Sequence, residues 1–335
     1  MIKIGIIGAG RLGSFHADKI IAHTDFELVG VMDVLPSARE QLAAKYNVQS
    51  FDNPDSFLNH VDAIVIAAPT SLHYELGNLT LRRKKHLLME KPLCNNSADA
   101  EKLVELANAN NLILQVGHIE EFNPAWLPAK KNIIDLAANK PVIINAARTS
   151  GYTFRSTDVG TLLDMMIHDI DLVLSIVQHA AVSINAAGFN IIGGQHEDIA
   201  DARVQFENGT VANFFSSRVA AAAVREMKVI AVGGNVHIDF AQRSLTLQKI
   251  SSSIKSGNFA PERITPETIS KIQPSFMQEF FVTNKIENES VDALALETDD
   301  FARAIKTGNP PRVTGNRGLN AVKLAEKILK TIRCN

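Results

Sequence analysis

Residues 2–13, "IKIGIIGAGRLG", restrict this chain more than any other short stretch of it. Ile2, Ile4, Ile6 and Ile7 read as a buried strand, and Gly8, Gly10 and Gly13 follow at once in the order G-x-G-x-x-G. An amphipathic pattern over 11–22 then reads as a helix. In that setting the first glycine permits a tight turn and the second lets backbone approach a pyrophosphate. The third allows the helix to pack closely on the strand. The helix start adds unpaired N–H groups and the positive end of its dipole. Gly8, Gly10, Arg11, Leu12 and Gly13 are therefore candidate dinucleotide-binding residues. The same glycines argue against reading this apolar start as a signal peptide.

The first third continues in the same rhythm. "FELVGVM" (26–32), "DAIVIAA" (62–68), "KHLLM" (85–89) and "NLILQVG" (111–117) read as buried strands, with helical patterns near 36–46, 72–83 and 97–109 between them. Such alternation implies βαβ units and a doubly wound parallel sheet, an α/β Rossmann domain. Asp33 ends the second strand at the distance where a carboxylate accepts bonds from ribose hydroxyls and repels a 2′-phosphate. No Arg follows within "MDVLPS", so NAD is favoured over NADP. The loop "AAPTSLH" (67–73) follows a parallel strand and should line the cofactor crevice. Pro69, Thr70 and His73 are candidates for cofactor contact there, although Thr70 or His73 could equally cap a helix or face solvent.

After "FNPAW" (122–126) the rhythm changes. Strand-like runs near 142–149, 182–192, 199–207, 210–217, 226–232 and 235–239 follow one another, and the Asn-Gly in "FENGTVANF" signals a hairpin. Helical patterns return near 292–306 and 317–332, while 250–275 reads as a long loop or edge region. The expected architecture is a Rossmann domain over 1–122 and an α+β domain over 123–335 with a large, mostly antiparallel, open-faced sheet.

Within that second part lies "GTLLDMMIHDIDLV" (160–173), a helix that is apolar nearly all round yet carries Asp164, His168 and Asp171 at i, i+4 and i+7. Ionisable groups on so oily a helix need partners. His168 suits a general base, and Asp164 one turn earlier suits orienting its ring. The alternative of two metal ligands lacks a further His or Cys nearby, so no metal is expected. Asp171 reads as a partner to a backbone group or domain contact, and Asp169 falls off the stripe.

Charge and cysteine usage narrow the partners. Formal net charge is −2 and the densest basic run is "RRKK" at 82–85, which excludes a nucleic-acid or anionic-membrane footprint. Cys94 and Cys334 stand far apart without metal-ligand spacing, which suits a reducing cytoplasm.

The fingerprint, the "PTSLH" loop, "MEKPL" (89–93) and "DMMIHDID" together resemble the Gfo/Idh/MocA oxidoreductases over the whole chain, with "LETDDFARAIKTGNPPRVT" a later mark. The resemblance implies a nicotinamide-dependent oxidoreductase acting on CH–OH groups of sugars, inositols and similar polyols. By it, Lys91 of "EKP" is a catalytic lysine and Asp164 and His168 contact substrate. Glu90 and Lys91 would also lie against the cofactor. Whether Lys91 or His168 takes the hydroxyl proton stays open.

"QVGHIEEFNPAW" (115–126) and "RTSGYTFRSTDVGTLLD" (148–164) resemble a branch containing nucleotide-sugar dehydrogenases, including those acting on UDP-N-acetylglucosamine at C3. In that branch His118, Arg148, Tyr152 and Arg155 become candidate substrate contacts, arginine being suited to a diphosphate. Glu121 stands where that branch usually has Arg. The resemblance further implies a homodimer or homotetramer. An inositol or free-aldose dehydrogenase and a non-catalytic NAD-binding regulator are the competing readings.

Overall fold

The computed structural model describes residues 1–154, 156–251, 262, 264–287 and 291–334. Six strands make the first sheet: β1 (Ile2–Ile7), β2 (Phe26–Met32), β3 (Gln49–Phe51), β4 (Ala63–Ile66), β5 (His86–Glu90) and β6 (Leu114–Gly117). Their order is 3-2-1-4-5-6 and every pairing is parallel. That order reverses between β1 and β4, which opens a ligand crevice at the carboxyl ends of those strands. Ile4, Ile6, Ile64 and Ile66 are fully buried, as a parallel sheet covered on both faces requires.

The connections are α1 (Arg11–Ala22), α2 (Pro36–Tyr46), a single turn α3 (Pro54–Phe57), α4 (His73–Arg82) and α5 (Ser97–Ala109). Asn96 caps α5 by accepting the Asp99 N–H at 2.9 Å. β3 and α3 are invisible to periodicity because, at three and four residues, neither completes two repeats of its pattern.

Helix α6 (Trp126–Ala137) follows, where the sequence reading moves straight to strands. Its buried residues Trp126, Ala129, Ile133 and Leu136 recur at helical spacing. The second sheet has eight strands: β7 (Ile143–Thr149), β8 (Ala181–Phe189), β9 (Ile199–Phe206), β10 (Val211–Ser217), β11 (Val224–Ala231), β12 (Gly234–Asp239), β13 (Ser244–Ile250) and β14 (Phe281–Glu287). The order is 14-13-12-11-7-10-9-8, and the β7–β10 pair alone runs parallel. Along β9, Ala200, Ala202, Val204 and Phe206 are buried while Asp201, Arg203 and Gln205 are exposed, so one face packs and the other is open. The Asn208-Gly209 turn joins β9 to β10 as expected, with Gly209 at φ +84°.

The packed face is covered by the oily helix, α7. It begins as a π-helical turn, Leu162–Met166, and continues as α-helix over Ile167–Ile176. The segment expected as a loop over 250–275 lies partly outside the described residues. Its described part forms α8 (Pro266–Ile272), started by the Thr265 side chain on the Thr268 N–H. A short α9 (Phe276–Phe280) leads into β14.

The last helices, α10 (Ala293–Thr307) and α11 (Gly315–Cys334), return to the first sheet. Phe301 and Ala302 share one core with Ile4, Ile6 and Ala17. Gly315 and Gly318 let α11 close on β6: an added Cβ would meet Leu114 Cδ2 at 2.7 Å and Val116 Cγ2 at 2.6 Å. The division at residue 122 is thus spatially incomplete, because residues 293–334 span back across it.

Candidate active site

At the β1–α1 turn Gly8 sits at φ +105°, and a Cβ there would meet the Ala67 carbonyl oxygen at 2.4 Å. A Cβ on Gly13 would meet the Gly8 oxygen at 1.8 Å, whereas one on Gly10 would meet nothing within 4 Å. Two glycines therefore close the turn and the middle one faces open space. Gly10 is the N-cap of α1 and contributes no side chain, and the helix ladder starts with the Ser14 N–H on the Gly10 oxygen at 2.9 Å. The N–H groups of Arg11, Leu12 and Gly13 are left for a ligand. Arg11 and Leu12 are exposed beside them.

Asp33 is held at the mouth of this turn. Its carboxylate accepts from the Ala9 N–H at 2.7 Å and the Leu35 N–H at 2.9 Å, which leaves lone pairs for ribose hydroxyls. These features fit a dinucleotide phosphate and an unphosphorylated ribose.

In the next loop Pro69 is exposed and Thr70 is buried. His73 does not face the crevice. It is buried with Nδ1 2.7 Å from the Pro92 carbonyl and Nε2 3.0 Å from the Ala68 carbonyl. Burial outweighs the pull of the two carbonyls and holds its pKa below the usual value, so a neutral ring, donating to one of them, is packed between two loops instead of contacting cofactor.

Glu90 ends β5 and also points inward. His16 Nε2 donates to its Oε1 at 2.7 Å, and the Lys91 N–H donates to its Oε2 at 3.2 Å. Burial pushes this carboxyl up, but His16 and Lys91 outweigh it and hold Glu90 ionised.

A cis Lys91–Pro92 bond follows, and the lysine crosses to the second domain. Lys91 Nζ donates to Asp164 twice, to its carbonyl oxygen at 2.6 Å and to Oδ1 at 2.9 Å. The π turn accounts for this grip. It widens the helix and interrupts the regular i→i+4 ladder, so a carbonyl can turn toward an outside donor. Burial raises the Asp164 carboxyl, but Lys91 prevails and keeps it below the usual range.

Asp164 therefore holds Lys91, and among the described residues no bond joins it to His168, so the expected ring-orienting role is not met. His168 Nδ1 is buried without a partner among the described residues. Burial, then the charges of Lys91, Arg148 and Arg225 together with His118, hold its pKa well below the usual value, so its ring is neutral. His118 packs edge-on against it, with centroids 6.2 Å apart and planes at 88°.

Arg148 is closed to substrate. It is 4% exposed and is bound by Asp169 at 2.8 Å and 3.2 Å and by Glu120 at 2.7 Å. Asp169, off the stripe, supplies the carboxylate fork. Asp171 accepts from Arg317 Nη2 at 2.7 Å, and burial pushes its carboxyl up to about 6 against that pull. Glu121, at the position where Arg is usual, accepts from Arg317 at 3.0 Å, Trp126 Nε1 at 2.9 Å and Lys130 at 3.2 Å. Its side chain is spent inside the protein.

Tyr152 stands half-buried, edge-on to the exposed Phe154 at 5.0 Å and 5.5 Å from the Arg218 guanidinium. Asp158 accepts the Ser71 N–H at 3.2 Å, so this strap spans from the second sheet to the loop after β4. Arg155 lies outside the described residues. His16, Arg218 and Arg317 escape the sequence reading because each acts through a partner far along the chain.

The NAD-binding Rossmann model of the Gfo/Idh/MocA oxidoreductase family matches residues 2–118, and that family's C-terminal domain matches residues 139–237. The chain is 28% identical to a UDP-N-acetylglucosamine 3-dehydrogenase of Acidithiobacillus ferrooxidans, over 98% of this chain and 96% of that protein. The solved structure of that enzyme superposes with a TM-score of 0.85, covering 99% of this chain and 98% of the other. An inositol 2-dehydrogenase of Rhizobium meliloti is 26% identical over 99% of this chain and 97% of its own length. A levoglucosan dehydrogenase solved with NADH, 18% identical, shares the fold at a TM-score of 0.83 over 99% of this chain and 97% of its own.

Proposed function

We propose, from the premise that the chain belongs to the Gfo/Idh/MocA family and is an NAD-dependent oxidoreductase acting on CH–OH groups, that it oxidises a secondary hydroxyl of a nucleotide sugar, UDP-N-acetylglucosamine at C3. The observation that carries the mechanism is the Lys91–Asp164 grip beside a neutral His168.

Bound NAD supplies the hydride acceptor, and the residues do the rest. Lys91 donates a hydrogen bond to the substrate oxygen as negative charge develops there. Asp164 aims that ammonium. His168 has a free lone pair at neutral pH and takes the hydroxyl proton. The engagement of the Lys91 ammonium by two oxygens supports reading His168 as the base of the two. Tyr152 and Phe154, on the strap over the crevice, offer aromatic faces to a sugar or uracil ring.

The nucleotide-sugar assignment is supported by the full-length likeness to the UDP-N-acetylglucosamine enzyme. A polyol such as inositol is the second reading, favoured by relatives of nearly equal identity and coverage. We assign residues 1–122 to NAD binding and 123–335 to substrate binding and assembly, in a cytoplasmic homodimer or homotetramer. Exposed Ile143, Phe215 and Ile230 on the open sheet face support such pairing.

The test follows NAD reduction against UDP-N-acetylglucosamine and myo-inositol. Activity with the first and none with the second is expected, and the reverse retires the nucleotide-sugar reading. Lys91→Ala is expected to lose about 10²–10⁴-fold in turnover while NAD binding stays largely intact. Full activity in that variant overturns the mechanism.

A further inference from the structure

His118 follows β6 directly, and its backbone is fixed on both sides. Its N–H bonds the Val116 oxygen at 2.8 Å, and its own carbonyl accepts the Glu121 N–H at 3.1 Å. The ring is 1% exposed, and neither nitrogen has a hydrogen-bond partner among the described residues. The nearest aromatic ring is His168, whose buried Nδ1 is also unpartnered. Three unpartnered imidazole nitrogens thus lie together in a protein interior, where such atoms are nearly always bonded.

The spacing says how they are joined. A direct N–H···N bond spans about 3 Å, and each nitrogen lies about 1.2 Å from its ring centre, so rings so bonded have centres no more than about 5.4 Å apart. The observed 6.2 Å exceeds that and suits two hydrogen bonds through one oxygen.

We propose that His118 is a positioning residue for His168. A single buried water accepts the His168 Nδ1–H and donates to a His118 nitrogen, which fixes the tautomer that leaves the His168 Nε2 lone pair free. The inference rests on the reading of His168 as the proton acceptor. It needs a neutral His118, since an imidazolium has no lone pair with which to accept. The surroundings supply this condition: burial, Arg317 and Lys91 outweigh Glu90 and Glu121 and lower the His118 pKa to about 3. Lys91, Arg148 and Arg225 likewise face His168, and Asp164, the carboxylate one turn away, is bound to Lys91. No protein carboxylate is bonded to either ring among the described residues, so the tautomer is set by the pair itself. A ring that only fills space would need no nitrogen.

Two variants of the full-length enzyme with NAD separate these roles. His118→Phe keeps the ring and removes its acceptor; His118→Gln loses the ring and keeps an amide that can accept. The expected result is a fall of at least about tenfold in kcat for His118→Phe, with KM and NAD affinity unchanged, and substantial recovery in His118→Gln. Wild-type kcat in His118→Phe, or equal loss in both folded variants, overturns the inference. Should either variant fail to fold, nitrogen NMR of ¹⁵N-histidine-labelled wild-type enzyme decides: His168 protonated at Nδ1 supports the proposal and protonation at Nε2 sinks it. His168→Gln is the control. If it is fully active, the reading of His168 as the base fails. If it is inactive while His118→Phe is not, only this inference fails.

Discussion

Glu297 on α10 is 1% exposed, and neither of its carboxylate oxygens has a partner among the described residues. Burial raises its pKa well above the usual value, and Glu90 and Asp300 push the same way. The folded protein therefore keeps a proton that the unfolded chain releases above its ordinary carboxyl pKa of 4.5. Stability is full below that value and drains as pH rises toward the folded pKa. Glu297→Gln removes the titration while keeping the size. Its melting temperature, compared with wild type, is expected to gain as pH rises above the ordinary carboxyl value of 4.5. A difference that does not change with pH would contradict the assignment.

Helical spacing does not mark the burial of this residue, because a Glu in an amphipathic pattern reads as solvated. Arg148 and His73 fail in the opposite sense. Their residue types suit ligands, but Asp169 already binds Arg148, and His73 is packed between the Pro92 and Ala68 carbonyls. Residue type is legible in a sequence; the partner across the fold is not. Lys91, Asp164 and His168 are readable because they sit in short local motifs, and the structure brings all three to one place.

At the scale of elements, the β1–α1 turn separates glycines that build from glycines that bind. Gly13→Ala would drive a Cβ to 1.8 Å from the Gly8 oxygen, which forces backbone to move. It is expected to unfold early in a thermal scan. Gly10→Ala meets nothing in the protein, so its melting temperature should match wild type while NAD affinity, read by titration, falls at least about tenfold. Normal NAD binding by a folded Gly10→Ala variant would move the phosphate elsewhere.

Periodicity finds the long elements, α1 and β2 among them, but misses β13, "SLTLQKI", whose alternation breaks after Leu245 and Leu247 where Lys249 takes the next inward position. It also cannot show the π turn. Spacing assumes a regular helix, and it was on that assumption that Asp164 pointed to His168; the widened turn instead offers both its oxygens to Lys91.

For the whole molecule the decisive joint is Arg317 on α11. This helix packs on β6 of the first sheet, and Arg317 reaches Glu121 beyond β6 and Asp171 on α7 above the second. Both carboxylate side chains are only 2% exposed, so the guanidinium compensates two charges that water cannot reach. Removing one member of such a cluster costs more than the bonds it made, because the others stay buried. Arg317→Met should lower stability by about 3–5 kcal/mol in denaturant unfolding. Lys130 and Trp126 still serve Glu121, so most of the loss falls on Asp171, for which no other partner is described. Asp171→Asn added to Arg317→Met should therefore recover stability, although each change alone is destabilising. The Arg317→Met defect should also shrink as pH falls toward about 6, because without Arg317 the stranded Asp171 takes up its proton above the value of about 6 that it has beside the guanidinium. A defect equally large at acid and neutral pH, unrelieved by Asp171→Asn, would show that Arg317 serves by packing alone. Because the same joint ties β6, and so His118, to the helix bearing His168, kcat should fall with stability in Arg317→Met and return with the second substitution.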